Sequence, residues 1–436
     1  MKITKKAAQA AQTPAPVDVK DDLYVERGSV EAKALHAFYT GAPVIVVKSP
    51  PGGGKSTLIT RLIHQIVSRP ESAEDRVQIV TPTRAAAINL AMTMGKMLGG
   101  SATRRVVGLQ DSLFSGSPDA FEQLGIVSSA GLHRSGLISP EDTVMPRIST
   151  LASLVRQQAG CDVLIVDEAY QSTFTDVVIA AQNAGQIIMV GDPGQIGPVV
   201  QVDTSNLPSA IDPAGRAPEE FTSRAETTVL SIDASYRLGA DTCEVIAELY
   251  DFPFVSYRQE MYLSDPSGEQ MYEIEQFQVD SAGNRDHQAG MEAVAEHARE
   301  LVHSTLTLHD EDGNEIGTRP MTQDDVAVVV SHNSQQVMIR ALLDGMGLYA
   351  VTVGTADSLQ GGQWYGVVSL DPLFGNTEAS THSASLGRLC VMLSRHRAHL
   401  RWVHDGQWEQ ALMDDQVLDQ AERTTGLSVR RNLVGL

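Results

Sequence analysis

Residues 44–57 read VIVVKSPPGGGKST, and no other stretch constrains the chain as tightly. Val44-Ile45-Val46-Val47 has the β-branched density of a buried parallel strand. Leu58, Ile59, Leu62, Ile63 and Ile66 then recur at helical spacing. Between the two lies a loop whose Gly52, Gly53 and Gly54 let backbone amides turn inward on an anion. The helix N-terminus adds partial positive charge there. Lys55 is placed to reach the β- and γ-phosphates of a nucleotide and Ser56 to hold Mg²⁺, with Pro51 and Thr57 completing the loop. A Gly/Pro turn before any helix would share the loop composition, but not the flanking strand and helix. One departure stands out: the first glycine of GxxxxGK[ST] is Ser49 here.

The 436 residues are enough for two or three domains. Cys161, Cys243 and Cys390 lie far apart and form no CxxC, which argues against a disulfide framework or zinc site and fits a reducing compartment. No apolar run approaches membrane-spanning length, and the N-terminus lacks an apolar signal core. These features predict a cytoplasmic protein with no membrane partner, and the compact size with the string Ser394-Arg395-His396 points to a bacterial cell or a phage-infected host. Residues 1–22 read as a disordered lead. A net charge of −21 argues against a general polyanion binder, although Arg388, Arg395, Arg397 and Arg401 share residues 386–404 with no acid.

Buried-strand runs recur at 77–80, 163–166 and 187–190, with a helical pattern at 85–97. A second series begins near Ser231: helices at 289–304 and 334–345, and strands at 326–330, 349–353, 366–370 and 399–403. The alternation predicts an α/β fold with two tandem domains built on parallel sheets. The first spans 23–230 and the second 231–436. The Ser/Gly/Pro-rich segment 112–148 and the polar segment 252–288 read as small insertions.

Asp167 and Glu168 directly follow the run Leu164-Ile165-Val166. An acid there, beside a phosphate loop, suits Mg²⁺, and its neighbour suits a base for an attacking water. Gln195, in Gly191-Asp192-Pro193-Gly194-Gln195, is a neutral amide able to touch both a γ-phosphate and its water.

The order of these segments resembles superfamily-one helicases, chiefly the branch of the nonsense-mediated-decay helicase, with echoes of RecD and of plus-strand RNA virus helicases. SPPGGGKST looks like motif I, TPTRAAA (81–87) like Ia, VDEA (166–169) like II and GDPGQIGP (191–198) like III. SYR (235–237) resembles motif IV, VGTADSLQGGQ (353–363) motif V and GRLCVMLSRHRAHL (387–400) motif VI. VAVVVSHNSQQV (326–337) resembles the strand-and-glutamine segment between IV and V.

The resemblance implies two RecA-like domains, ATP and Mg²⁺, and single-stranded nucleic acid as partner, DNA favoured over RNA and moved 5′→3′, with replication or recombination proteins as possible company. It implies that Ser56 and Asp167 hold the metal, Glu168 is the base and Gln195 senses the γ-phosphate. Arg237 and Arg395 would be arginine fingers, with Arg397 as an alternative second finger. Tyr236 would stack on the base and Gln363 meet the ribose, where the family usually has glutamate. Thr81, Thr83, Arg84 and Thr355 would contact the nucleic acid, and Thr83 also suits a helix cap. His396 would tune its neighbour Arg395. Two other functions fit parts of the chain: an NTP-switched regulatory or assembly ATPase that separates no strands, and a small-molecule kinase, which leaves 326–397 without a purpose.

Overall fold

The computed structural model describes residues 23–67, 77–98, 105–129, 143–157, 160–200, 211–310, 312–414 and 418–435; the expected lead 1–22 lies outside them. The first sheet contains β1 (Val44–Lys48), β2 (Val77–Thr81), β3 (Arg105–Leu109), β4 (Ile126–Ser128), β5 (Thr143–Thr150), β6 (Val163–Asp167), β7 (Gln186–Gly191) and β8 (Thr227–Ser231). Its order is β4-β3-β5-β2-β6-β7-β1-β8, with every pair parallel. Alternation along β1 shows why the run is apolar throughout. Ile45 and Val47 face the helices Lys55–Val67 and Arg84–Met97, whereas Val46 joins Leu164, Val166 and Met189 on the opposite face.

The segment 112–148 is not set apart from this sheet: β4 and the start of β5 are strands of it. Pro146 within β5 hid the strand, since a proline cannot donate to a ladder. The β3–β5 register shifts between Val106 and Gly108, opposite that proline.

A short parallel pair, β9 (Ala234–Ser235) with β10 (Val255–Ser256), opens the second half. It continues with β11 (Met261–Ser264), β12 (Ile274–Gln278), β13 (Thr305–His309), β14 (Glu315–Pro320), β15 (Val326–Val330), β16 (Thr352–Thr355), β17 (Trp364–Leu370) and β18 (His396–His404). The second large sheet, β12-β18-β17-β15-β16, is wholly parallel; β11-β13-β14 is a small antiparallel sheet. Val326, Val328 and Val330 pack under the helices Gln288–Val302 and Asn333–Gly345. Ala327 and Val329 pack under Leu386–Leu393 and Gln420–Gly435. The segment 252–288 also joins the fold, supplying the edge strand β12, whose exposed polar residues masked it in the sequence. Among the described residues no helix is long and apolar enough to cross a membrane.

β18 buries three histidines, His396, His399 and His404. Burial pulls the His399 imidazole down to about 3, against the Tyr272 carbonyl that accepts from Nδ1. Burial also lowers His396 and His404. A depressed imidazole means that the unfolded chain binds more protons, so stability is complete above about pH 6.5 and is lost as pH falls through the window towards 3. His399 alone implies a loss of about 2 kcal/mol between pH 7 and 5. Urea unfolding at the two pH values should show it, and His399→Gln should shrink the difference; equal midpoints for wild type would contradict the assignment.

Candidate nucleotide site between the two sheets

β1 delivers the loop. The Ser49 N–H donates to the Gly191 carbonyl at 2.9 Å, fixing the loop to the end of β7. Gly52 and Gly54 have φ of +73° and +79°, whereas Ser49 does not have a positive φ. Serine is therefore tolerated at the motif's first glycine. Its hydroxyl donates to the Pro50 carbonyl at 3.0 Å and fills the space where a Cβ on Gly53 would fall 2.5 Å away.

β6 delivers the acids. Asp167 is buried, and its Oδ1 accepts the Glu168 N–H at 3.0 Å. Glu168 itself has φ +52°, an unusual backbone for a residue with a side chain, which turns its carboxylate onto Lys55 Nζ at 2.7 Å. Burial pushes the Asp167 carboxyl up to about 7, Glu168 adding and Lys55 opposing. Burial works to lower Lys55, yet the attraction of Glu168, Asp192 and Asp167 outweighs it and raises the ammonium. Lys55 is therefore charged in the resting site.

β7 delivers Asp192 and Gln195. Asp192 Oδ1 accepts from Gly194 N–H and Tyr250 OH, both at 2.9 Å, and Oδ2 accepts Gln195 Nε2 at 2.8 Å. Gln195 Oε1 in turn accepts Gln360 Nε2 at 3.1 Å. Arg216 braces this turn by donating to the carbonyls of Pro193 and Gln195. The Gln195 side chain thus touches the turns that follow β7 and β16. A Cβ on Gly387 would lie 2.8 Å from the Gln195 carbonyl, so the helix Leu386–Leu393 packs directly on this turn.

Two arginines face these groups. The Ser235 hydroxyl donates to the Pro51 carbonyl at 2.7 Å and the Tyr236 N–H to the Gly52 carbonyl at 3.0 Å, which docks the chain before Arg237 on the phosphate loop. A Cβ on Gly52 would fall 2.4 Å from Arg237 Cβ. Arg237 donates to Gln363 Oε1 at 2.9 Å and the Ser394 carbonyl at 3.3 Å. Arg395, fully buried, donates to the carbonyls of Val391 and Gly362 and to Ser394 Oγ. Burial, with repulsion from Arg395, pulls Arg237 down to about 9. Burial lowers Arg395 too. Among the described residues neither guanidinium is ion-paired with a carboxylate. One buried and one half-buried cation, both held by neutral acceptors, are available to an anion.

These residues line one cleft of about 650 Å³. It contains Gly52 to Thr57, Asp167, Glu168, Gln195, Tyr236, Arg237, Gln363 and Arg395 of the expected set. Pro51 does not line it; its carbonyl is taken by Ser235. Gln363 does, but its amide oxygen holds Arg237. Arg397 lines it while resting on the Tyr365 ring, 4.9 Å from the centroid. Tyr236 is 60% exposed.

The expected nucleic-acid residues divide. Thr81 is fully buried and its hydroxyl donates to the Thr83 carbonyl at 2.8 Å, so it shapes the turn and offers no surface to a strand. Thr83 caps the helix Arg84–Met97 through the Ala86 N–H and also reaches the nucleotide cleft. Arg84 is exposed and donates to the Ser112 carbonyl. The Thr355 hydroxyl accepts the Ser358 N–H at 3.3 Å, closing its own turn. Gln360, Asp192 and Arg216 were not singled out from the sequence. Gln360 and Asp192 lay inside recognised strings, and Arg216 carried no signal.

The chain matches the family described as the viral superfamily 1 RNA helicase core domain over residues 119–337, just over half its length. It belongs to that family. A further match, to an AAA domain, covers residues 32–201. Similar solved structures include the PRRSV helicase, at 14% identity and TM-score 0.42, covering 85% of this chain and 54% of that one. Arterivirus nonstructural protein 10 (helicase) gives 14% and 0.43, over 85% and 61%. Its complex with DNA gives 14% and 0.44, over 90% and 65%. The chain thus spans between 54% and 65% of those proteins. No curated protein sequence matches it.

Proposed function

We propose that the chain hydrolyses ATP to drive movement along single-stranded nucleic acid. One observation carries this reading: Arg237 and Arg395, neither ion-paired with a carboxylate among the described residues, face the Lys55–Glu168 pair across a cleft walled by both sheets. Transfer of a phosphoryl group spreads charge over its oxygens, and forked donors from a second wall stabilise that charge only when the cleft closes. Closure linked to hydrolysis is the stroke a translocase requires. The Ser56 hydroxyl and the Asp167 carboxylate are hard oxygen donors lining this cleft, as Mg²⁺ demands, and the ion would neutralise charge on the β- and γ-oxygens. Tyr236 offers an exposed ring to stack on the base. Arg84 and Thr355 remain the surface candidates for the strand.

The expectation of DNA moved 5′→3′ belongs to the superfamily-one resemblance, and that of RNA to the description of the matched family. ATPase assays with each single strand, followed by displacement of strands tailed at either end, separate them. Stimulation of about tenfold or more by one polymer, with displacement from one tail, is expected. No stimulation by either polymer would refute the translocase. Stimulation without displacement from any substrate would instead favour a nucleotide-switched ATPase.

A further inference from the structure

The segment 252–288 has no part in the site described above, yet it sends Glu273 beneath both finger arginines. The Glu273 side chain is only 9% exposed. Its Oε1 accepts the Gly239 N–H at 2.9 Å, two residues beyond Arg237. The same oxygen accepts the Thr242 hydroxyl at 2.5 Å. Thr242 Oγ1 lies 2.8 Å from Nε2 of the fully buried His396, the residue after Arg395. With its one proton given to the carboxylate, the hydroxyl can only accept from the imidazole, so the proton on His396 sits on Nε2. The direction of every bond is then fixed: His396 Nε2–H to Thr242 Oγ1–H to Glu273 Oε1, which also receives Gly239 N–H.

Glycine at 239 is required, since a Cβ there would fall 2.0 Å from Glu273 Oε2. Arg258, from the same segment, donates to the Arg397 carbonyl and so ties down the far side of the motif VI strand. Burial opposes the charge on Glu273, but the nearby His396 N–H, the guanidinium of Arg258 and the Thr242 hydroxyl hold the carboxyl down at about 2.

We propose that Glu273 is a positioning residue for hydrolysis, which through Thr242 and His396 sets Arg395 and through Gly239 sets Arg237, so that both guanidinium groups meet the transferring phosphoryl group together. The inference rests on the ATPase reading. A displacement of a reacting group by about 1 Å can cost about a hundredfold. Glu273→Ala and Thr242→Val should therefore lower kcat about 10–100-fold, with KM and the affinity for a fluorescent ATP analogue within about threefold. Glu273→Gln keeps an Oε1 acceptor for both donors and should stay within about threefold of wild type. In an Arg237→Ala/Arg395→Ala background, Glu273→Ala should have almost no further effect, because nothing remains to position.

An unchanged kcat in Glu273→Ala, or an equal loss with and without the arginines, would overturn the proposal. Thr242→Val, a near-isosteric change, carries the test if Glu273→Ala does not fold. Wild-type protein without ATPase would refute the hydrolase reading instead. In that case ¹⁵N NMR of the histidines still decides the network: a protected Nε2–H on His396, lost in Thr242→Val, supports it, and an Nδ1–H tautomer overturns it.

Discussion

Arg395→Ala should lower kcat about a thousandfold or more while the dissociation constant for ATP moves by less than about threefold. The asymmetry follows from where the guanidinium sits. It is fully buried, held by two carbonyls and a hydroxyl, and paired with no carboxylate among the described residues. On the proposed reading, ground-state phosphates would already have Lys55, the loop amides and the helix N-terminus. A cation aimed at oxygens that gain charge only during transfer acts on the barrier. Arg395→Lys should recover little, because an ammonium cannot reproduce three donors in a planar fork. Folding should survive. The substitution strands three acceptors, at about 1 kcal/mol each, but it also removes a desolvated charge that repels Arg237. Turnover by single-turnover kinetics, analogue binding and thermal melting form the decisive set. A loss of affinity large enough to explain the loss of kcat/KM would place Arg395 in ground-state binding and refute its role as a finger.

The meeting of Lys55, Asp167 and Gln195 in one cleft was legible from the sequence because each signal is local. Every one follows a β-branched strand, and a parallel sheet presents the carboxyl ends of its strands to a ligand. Two helices of the second half, Gln288–Val302 and Asn333–Gly345, were equally legible, since their apolar spacing is complete within one segment. What could not be read depends on distance along the chain or on a broken local rule. Gln195 and Gln360 meet across 165 residues, and Glu273 reaches His396 only because β12 pairs with β18. Neither contact leaves a trace in spacing. Pro146 disguised β5, and the half-buried Glu275 with the exposed Gln276 and Gln278 disguised β12 as a polar insertion. Thr81 misled in the opposite sense. A threonine at a strand end is a fair candidate for a phosphate contact, but its hydroxyl was spent on the turn that lets Thr83 cap the next helix. Ser49, anomalous as a string, became intelligible once its backbone was seen to need no glycine.

Glu168→Gln should separate binding from hydrolysis in the opposite manner to a loop mutation. In the resting site Glu168 occupies Lys55, with Nζ 2.7 Å from its carboxylate. An arriving phosphate must displace that carboxylate, and the released Glu168 is then free to take a proton from water. Glutamine is nearly the same size and cannot accept that proton, so kcat should fall by about 10²–10⁴. It also competes less for Lys55, and ATP should bind about threefold to tenfold tighter, an increment of about 1 kcal/mol. The variant should therefore accumulate with ATP and a single strand bound together, detectable as retention of labelled oligonucleotide that depends on ATP and not on ADP. A kinase of small molecules would lose turnover in the same variant but has no reason to hold the strand. Weaker ATP binding would show that the Lys55–Glu168 pair supports the nucleotide and does not give way to it. Retained turnover would mean that the water is activated elsewhere, and Glu168 would have to be withdrawn as the base.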